Sequence, residues 1–270
     1  MNINQELSFS QVLFGRPIPD MSKSKIWSLF HSSSNEVNKL LYLIDLLKLG
    51  DFSAKKELST IMLETSQSEI RKLSCQIFCC VAQHSDINIL TDYLGTLFEY
   101  EDEDEFDDEL QDFVLFSIYT LSPSIVPILL DLLDEWEGEV ESSIKMSLDF
   151  LYPGFSSFSD EIPLEETREY YMEKSSESES GSYIFGGMPV FPGDLSKKML
   201  ERAAIARYHG EVLQQTHIPT LLSLWSGIDS PAYFFSKIDD DMMGKLFSYV
   251  NEIASMEWEK GCKYFFGWKV

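Results

Sequence analysis

Apolar residues recur three or four positions apart over most of the chain, the period of an amphipathic helix. Between Asn35 and Gly50, the residues Val37, Leu40, Leu41, Ile44 and Leu47 fall on one helical face. Ser34 and Asn35 stand before them as cap candidates, and Gly50-Asp51 ends the pattern. A second helix carries Phe52, Leu58, Ile61 and Met62, and a third turns Ile70, Leu73, Ile77, Cys80 and Val81 inward. DINILTDYLGTLFEY reads as a fourth and DELQDFVLFSIYTLS as a fifth. PSIVPILLDLLDEW is a sixth, with Pro123 at its start, where a missing N–H costs little. EVESSIKMSLDFLYPG is a seventh, closed by Pro153-Gly154. Before them, FGRPIPD reads as extended or turn chain, because a residue preceding proline is pushed out of the α region. A short helix is expected around Ser24–Phe30.

The helices group in pairs. Val37, Ile70, Leu110 and Val140 take equivalent places in the first helix of each pair, at spacings of 33, 40 and 30 residues. Periodicity of that length suggests an α-solenoid. The longest spacing contains an acidic run, so Glu99–Glu109 is expected as an insertion or extended turn between the second and third pairs. The second pair resembles HEAT repeats in its Ile70-Arg71 step and its Ser85-Asp86 turn. That resemblance implies a scaffold with a binding surface and no particular chemistry. Residues 155–194 are rich in Ser, Glu, Gly and Pro and read as a loop region, with SSESESGS as flexible chain and YIFGGMPVFPG as a flap or hairpin. Residues 195–270 return to helical periodicity and end in the aromatic CKYFFGWKV, a last strand or an irregular cap. The expected fold is therefore all-α: an N-terminal extension over 1–34, a HEAT-like α-solenoid of helix pairs over 35–154, an irregular central insertion, and a helical C-terminal region packing on the solenoid.

Charge alters the picture more than composition does. The 270 residues carry a formal net charge of −24, unevenly: −1 over 1–95, −23 over 96–195 and zero over 196–270. The central third therefore reads as one acidic face. Such a balance argues against nucleic acid as a partner, because phosphate binding needs a basic surface, and against anionic membranes. It favours a basic partner or plain solubility. No apolar run is long enough to span a membrane, and MNINQELSFSQVLFG lacks the basic and apolar regions of a signal peptide. Cys75, Cys79 and Cys80 cannot form a disulfide framework at that spacing and read as small buried side chains in a reducing compartment. A cytoplasmic protein is expected.

Candidate chemistry is sparse. His31, His84, His209 and His217 lie in different elements and in no metal or catalytic motif. His209-Gly210-Glu211 has an H-x-E spacing without the Pro-Cys-x-x-Cys partner a deaminase needs. Gly186-Gly187 lacks the Lys-Ser/Thr of a phosphate loop. An EF-hand requires Gly at its sixth position, where the acidic run has Asp107 or Glu109. No cofactor, no metal, no small-molecule substrate and no enzymatic activity are expected. An enzyme would need a pocket, most plausibly near Arg207, Tyr208 and His209.

What remains is the acidic run itself. EYEDEDEFDDELQD, Glu99 to Asp112, holds ten carboxylates in fourteen residues with no Lys or Arg. Like charges held together repel, and a basic ligand removes that cost and is steered in by it. The candidate partner-binding residues are Asp102, Glu103, Asp104, Glu105, Phe106, Asp107 and Asp108, with Asp134, Glu135, Trp136, Glu137 and Glu139 as a second patch on an edge the alternate turns of a solenoid would share. Phe106 and Trp136 are either anchors ringed by carboxylates or residues folded back on the core. The N-terminal LSFSQVLFG, the Ser/Glu-rich break and the C-terminal EKGCKYFFGWKV are similar to the immunity protein 47 family of bacterial polymorphic toxin systems. That resemblance implies a non-enzymatic protein that neutralises a cognate toxin; an acidic surface would suit a basic toxin such as a nuclease. The other function class is a helical scaffold or adaptor whose acidic segment only confers solubility.

Overall fold

The computed structural model describes residues 8–97, 103–155 and 162–270, with 103–105 as backbone alone. It divides into two compact units, Met1–Pro189 and Val190–Val270.

The first unit opens with α1 (Phe9–Leu13) and α2 (Lys23–Ser32). The segment read as an extension thus contributes Val12, Leu13, Ile26 and Phe30 to the core. Helix α3 (Glu36–Lys48) starts where Asn35 Oδ1 accepts the Asn38 N–H at 2.9 Å, satisfying one of the donors a helix start leaves over. Then follow α4 (Lys55–Glu64), α5 (Ser68–Val81), α6 (Ile87–Leu97), α7 (Glu103–Ser117), α8 (Val126–Glu135) and α9 (Gly138–Leu151). Helix α5 packs on α7 and α7 on α9, while α4 packs on α5 and α8 on α9. The three cysteines of α5 are buried free thiols.

The structure departs from the expected loops in two places. The acidic run does not continue as an inserted turn: from Glu103 onward it is the opening of α7. Carboxylates at a helix N-terminus face the positive end of the peptide dipoles, so this composition suits a helix start. Residues 155–194, expected to be a loop region, hold α10 (Leu164–Glu177), while YIFGGMPVFPG contains the expected hairpin, of β1 (Ile184–Phe185) and β2 (Met188–Pro189). Helix α10 buries only Thr167 and Tyr171, one turn apart. That stripe is too narrow for periodicity to reveal, although Leu, Glu, Arg, Met and Lys are good helix formers.

The second unit contains α11 (Pro192–His209), α12 (Ile218–Ser226), α13 (Asp240–Ala254) and a terminal hairpin of β3 (Tyr264–Phe265) and β4 (Trp268–Lys269). Helix α11 packs on both α12 and α13. The fold is all-α: among the described residues the only strands are the two short hairpins. No described helix is long and apolar enough to cross a membrane.

The hairpins are built alike. Gly186 and Gly187 have φ of 63° and 71°, Phe266 and Gly267 of 50° and 82°. Positive φ at both tip residues gives a turn whose twist matches the strands. The tip amides then cap a helix end. Gly186 and Gly187 donate to Phe150 O and Leu151 O of α9 at 2.9 and 2.7 Å, and Phe266 and Gly267 to Leu224 O and Trp225 O of α12 at 2.7 and 2.6 Å. Carbonyls that a helix terminus leaves unpaired are thereby satisfied. At the end of α12, Gly227 has φ +73°, and a Cβ there would lie 2.8 Å from the Phe266 ring.

Candidate functional site

Helix α7 carries a buried stripe at Phe106, Glu109, Leu110, Phe113, Val114 and Ser117, an i, i+3, i+4, i+7 pattern. Glu109 sits in that stripe, wholly buried. Its Oε1 accepts from Arg71 Nη2 at 2.9 Å and Ser68 Oγ at 2.6 Å, and its Oε2 from Arg71 Nε at 3.0 Å and Tyr93 Oη at 3.3 Å. Arg71 also donates Nη1 to Thr65 O at 3.1 Å. A two-pronged guanidinium–carboxylate pair is both strong and directional. Here it ties α7 to α5, with α6 supplying the tyrosine. The Arg71 that prompted the repeat resemblance is thus half of an ion pair with the acidic run.

The rest of the run is set by its distance from that anchor. Asp107 and Asp108 point outward and are exposed. Asp112 is half-buried, and burial raises its carboxyl above the usual range, opposed by Lys72 and reinforced by Asp108 and Glu109. Glu103, Asp104 and Glu105 occupy the first turn of α7, and Asp102 lies outside the described residues.

The two acidic segments meet through their aromatics. Phe106 is buried and stacks on Trp136, the ring centroids 5.1 Å apart at 29°. Trp136 is half-buried, and its indole N–H has no acceptor among the described residues. Asp134, Glu135, Glu137 and Glu139 are exposed at the end of α8 and the start of α9. One cation intrudes that spacing along the chain did not reveal. Arg168 of α10 pairs with Asp134 and, at 3.2 Å, with Asp131. Glu141 is bound by Lys145 at 2.7 Å. Of the exposed carboxylates described in the two acidic segments, Asp107 and Asp108 on α7 and Glu135, Glu137 and Glu139 beyond it make no ion pair with a described residue.

Among the described residues no three His, Cys, Asp or Glu side chains converge as metal ligands. Arg207, Tyr208 and His209 stand exposed at the C-terminal end of α11, with Arg207 paired to Asp240 at 2.6 Å. They do not line the groove that opens in the second unit between α13 and residues Ile228–Pro231.

A family model described as Immunity protein 47 matches residues 9–270. No curated protein and no solved structure matches the chain.

Proposed function

We infer that this chain, which belongs to the immunity protein 47 family, neutralises its toxin by covering it with the acidic surface of α7 and the α8–α9 turn. Family membership supplies the partner, a toxin. The observation that supports the surface is the meeting of two acidic segments across the Phe106–Trp136 stack, with Asp107 and Asp108 exposed and without ion pairs among the described residues. The Arg71–Glu109 pair and the buried stripe hold α7 in place, so these carboxylates lose little freedom on binding.

The complementary partner is basic. Nuclease toxins fit because a surface that binds phosphates must itself be positive, and a carboxylate patch occupying that surface excludes nucleic acid. Inhibition then needs no chemistry from this chain, only coverage. Co-expression with its cognate toxin tests the reading. The unsubstituted chain is expected to restore growth, and the pair Asp107→Lys, Asp108→Lys to fail while remaining folded. Full protection by the charge-reversed chain would contradict it and favour a solubilising role for the run.

A further inference from the structure

Three non-glycine residues among those described have φ in the left-handed region: Leu121 at 55°, Phe266 at 50° and Phe235 at 65°. For a bulky side chain that conformation is a strained outlier. Leu121 and Phe266 are buried, so packing offsets the strain. Phe235 is 68% exposed, so burial of its ring offsets little of the strain. It is the third residue of a turn closed by Ser236 N–H to Tyr233 O at 2.9 Å, a place that favours Gly or Asn. Phe234, 44% exposed, lies against it with ring centroids 4.1 Å apart.

The turn is braced from both sides. Phe235 N–H donates to Leu213 O at 2.9 Å and Leu213 N–H to Ser236 O at 2.8 Å. Tyr233 N–H donates to Ser236 Oγ at 2.9 Å, and Tyr233 Oη to Asp229 Oδ1 at 2.5 Å. Ser223 Oγ bonds both Tyr233 Oη, at 3.2 Å, and Tyr249 Oη, at 3.3 Å. The same loop forms one wall of the groove, of about 560 Å³, with Asp229 and Pro231 facing Asp240, Asp241, Gly244 and Glu252 of α13. Four carboxylates line it; Asp240 is paired with Arg207 at 2.6 Å and Asp241 with Lys245 at 2.7 Å, which leaves Asp229 and Glu252 without an ion pair among the described residues.

We propose that the Phe234–Phe235 turn and this groove form a second docking element for the same toxin, the ring pair entering an apolar pocket while a toxin Lys or Arg enters the groove. The proposal rests on the immunity reading for its partner. A rigid aromatic braced beside a charged recess is the composition of an interface anchor: the ring is already ordered, so little entropy is lost on docking. Hydrogen bonds within the chain hold the left-handed backbone at Phe235, and burial of its ring comes only in the complex.

Phe235→Gly separates a docking role from a structural one, because Gly accepts the left-handed conformation without penalty. Phe235→Asn, the next most tolerant residue, serves as the second variant. Binding to the cognate toxin domain is measured by calorimetry, with thermal melts of each variant alone. The expected result is an unchanged or higher melting temperature and an affinity at least about 30-fold weaker. Affinity within about twofold of the unsubstituted chain overturns the proposal and leaves the immunity reading intact. So does a loss of affinity accompanied by a fall in melting temperature in both variants, because the ring is then structural. No binding by the unsubstituted chain overturns the immunity reading and this proposal with it.

Discussion

The start of α7 and the turn at Phe235 both present side chains that folding alone does not favour, and they do so by opposite means. In α7 the disfavoured feature is charge: exposed carboxylates crowd one helix end and repel one another. At the turn it is conformation: an exposed ring sits on left-handed backbone. The first is held by a buried ion pair, Arg71–Glu109, and by the stack of Phe106 on Trp136. The second is held by backbone hydrogen bonds to Leu213 and a tyrosine–serine–aspartate network. The difference teaches that a charged residue in an acidic block need not belong to its surface. Glu109 is structure, whereas Asp107 and Asp108, two residues and one residue earlier, are exposed.

That division is broken most severely at Glu109. Glu109→Ala is expected to destabilise the chain by about 3–5 kcal/mol, because Arg71 is left buried and unpaired. Urea unfolding measures it. Replacing both partners together, Arg71→Met with Glu109→Leu, should recover most of the loss. The conformational side of the comparison is sharpened at Phe266. Its ring is buried, so Phe266→Gly is expected to lower stability by about 2–3 kcal/mol, the lost packing exceeding the relieved strain. Phe235→Gly should leave stability unchanged or raise it, and parallel melts of the two variants decide.

Acid is expected to act on the units in opposite directions. Burial lowers the His217 pKa from 6.5 to about 4. Between those values the unfolded chain binds a proton that the folded chain does not, so this contribution falls as pH drops from 6.5 to 4. Asp112 has the reverse sign. Its raised folded pKa means the folded state binds the proton first, and stability is gained as pH falls toward 3.8. Melting temperatures of His217→Gln and Asp112→Asn across pH 4–7 should show the acid loss reduced in the first and the compensating gain absent in the second. Smaller still is Arg168→Ala. The pair it makes with Asp131 and Asp134 is exposed, so its stability change should stay below about 1 kcal/mol. Toxin affinity, by contrast, should rise at low salt as Asp134 is freed.

Much of the helical core was legible because cap and stripe agree. Asn35, Val37, Leu40 and Ile44 mark α3, and Ile70, Leu73 and Ile77 mark α5. DELQDFVLFSIYTLS marks most of α7; its first turn, from Glu103, reads as inserted chain because the run is so acidic, and Glu109 looks like surface until Arg71, 38 residues away, is brought to it. Helix α10 hid because two buried residues make no periodicity. The likeness of YIFGGMPV and KYFFGWKV was present in the letters, but strands of two residues carry no alternation to detect. The pairing of the acidic segments through Phe106 and Trp136 was anticipated only as a shared edge. Arg168 was not anticipated, since its contact with Asp134 is tertiary. Phe235 had no signal, for φ is not written in a residue name.

On the proposed reading, Asp107 and Asp108 of α7 are open to a basic partner while Glu109 is held by Arg71. Asp107→Lys with Asp108→Lys, both on the exposed face, should change stability by no more than about 0.5 kcal/mol. The direct measurement is the dissociation constant of that variant for the cognate toxin domain, taken at a series of salt concentrations alongside the unsubstituted protein. The expected result is weaker binding at low salt and a shallower dependence of affinity on salt, with melting unchanged. Equal affinity and an equal salt dependence in the two proteins would contradict it.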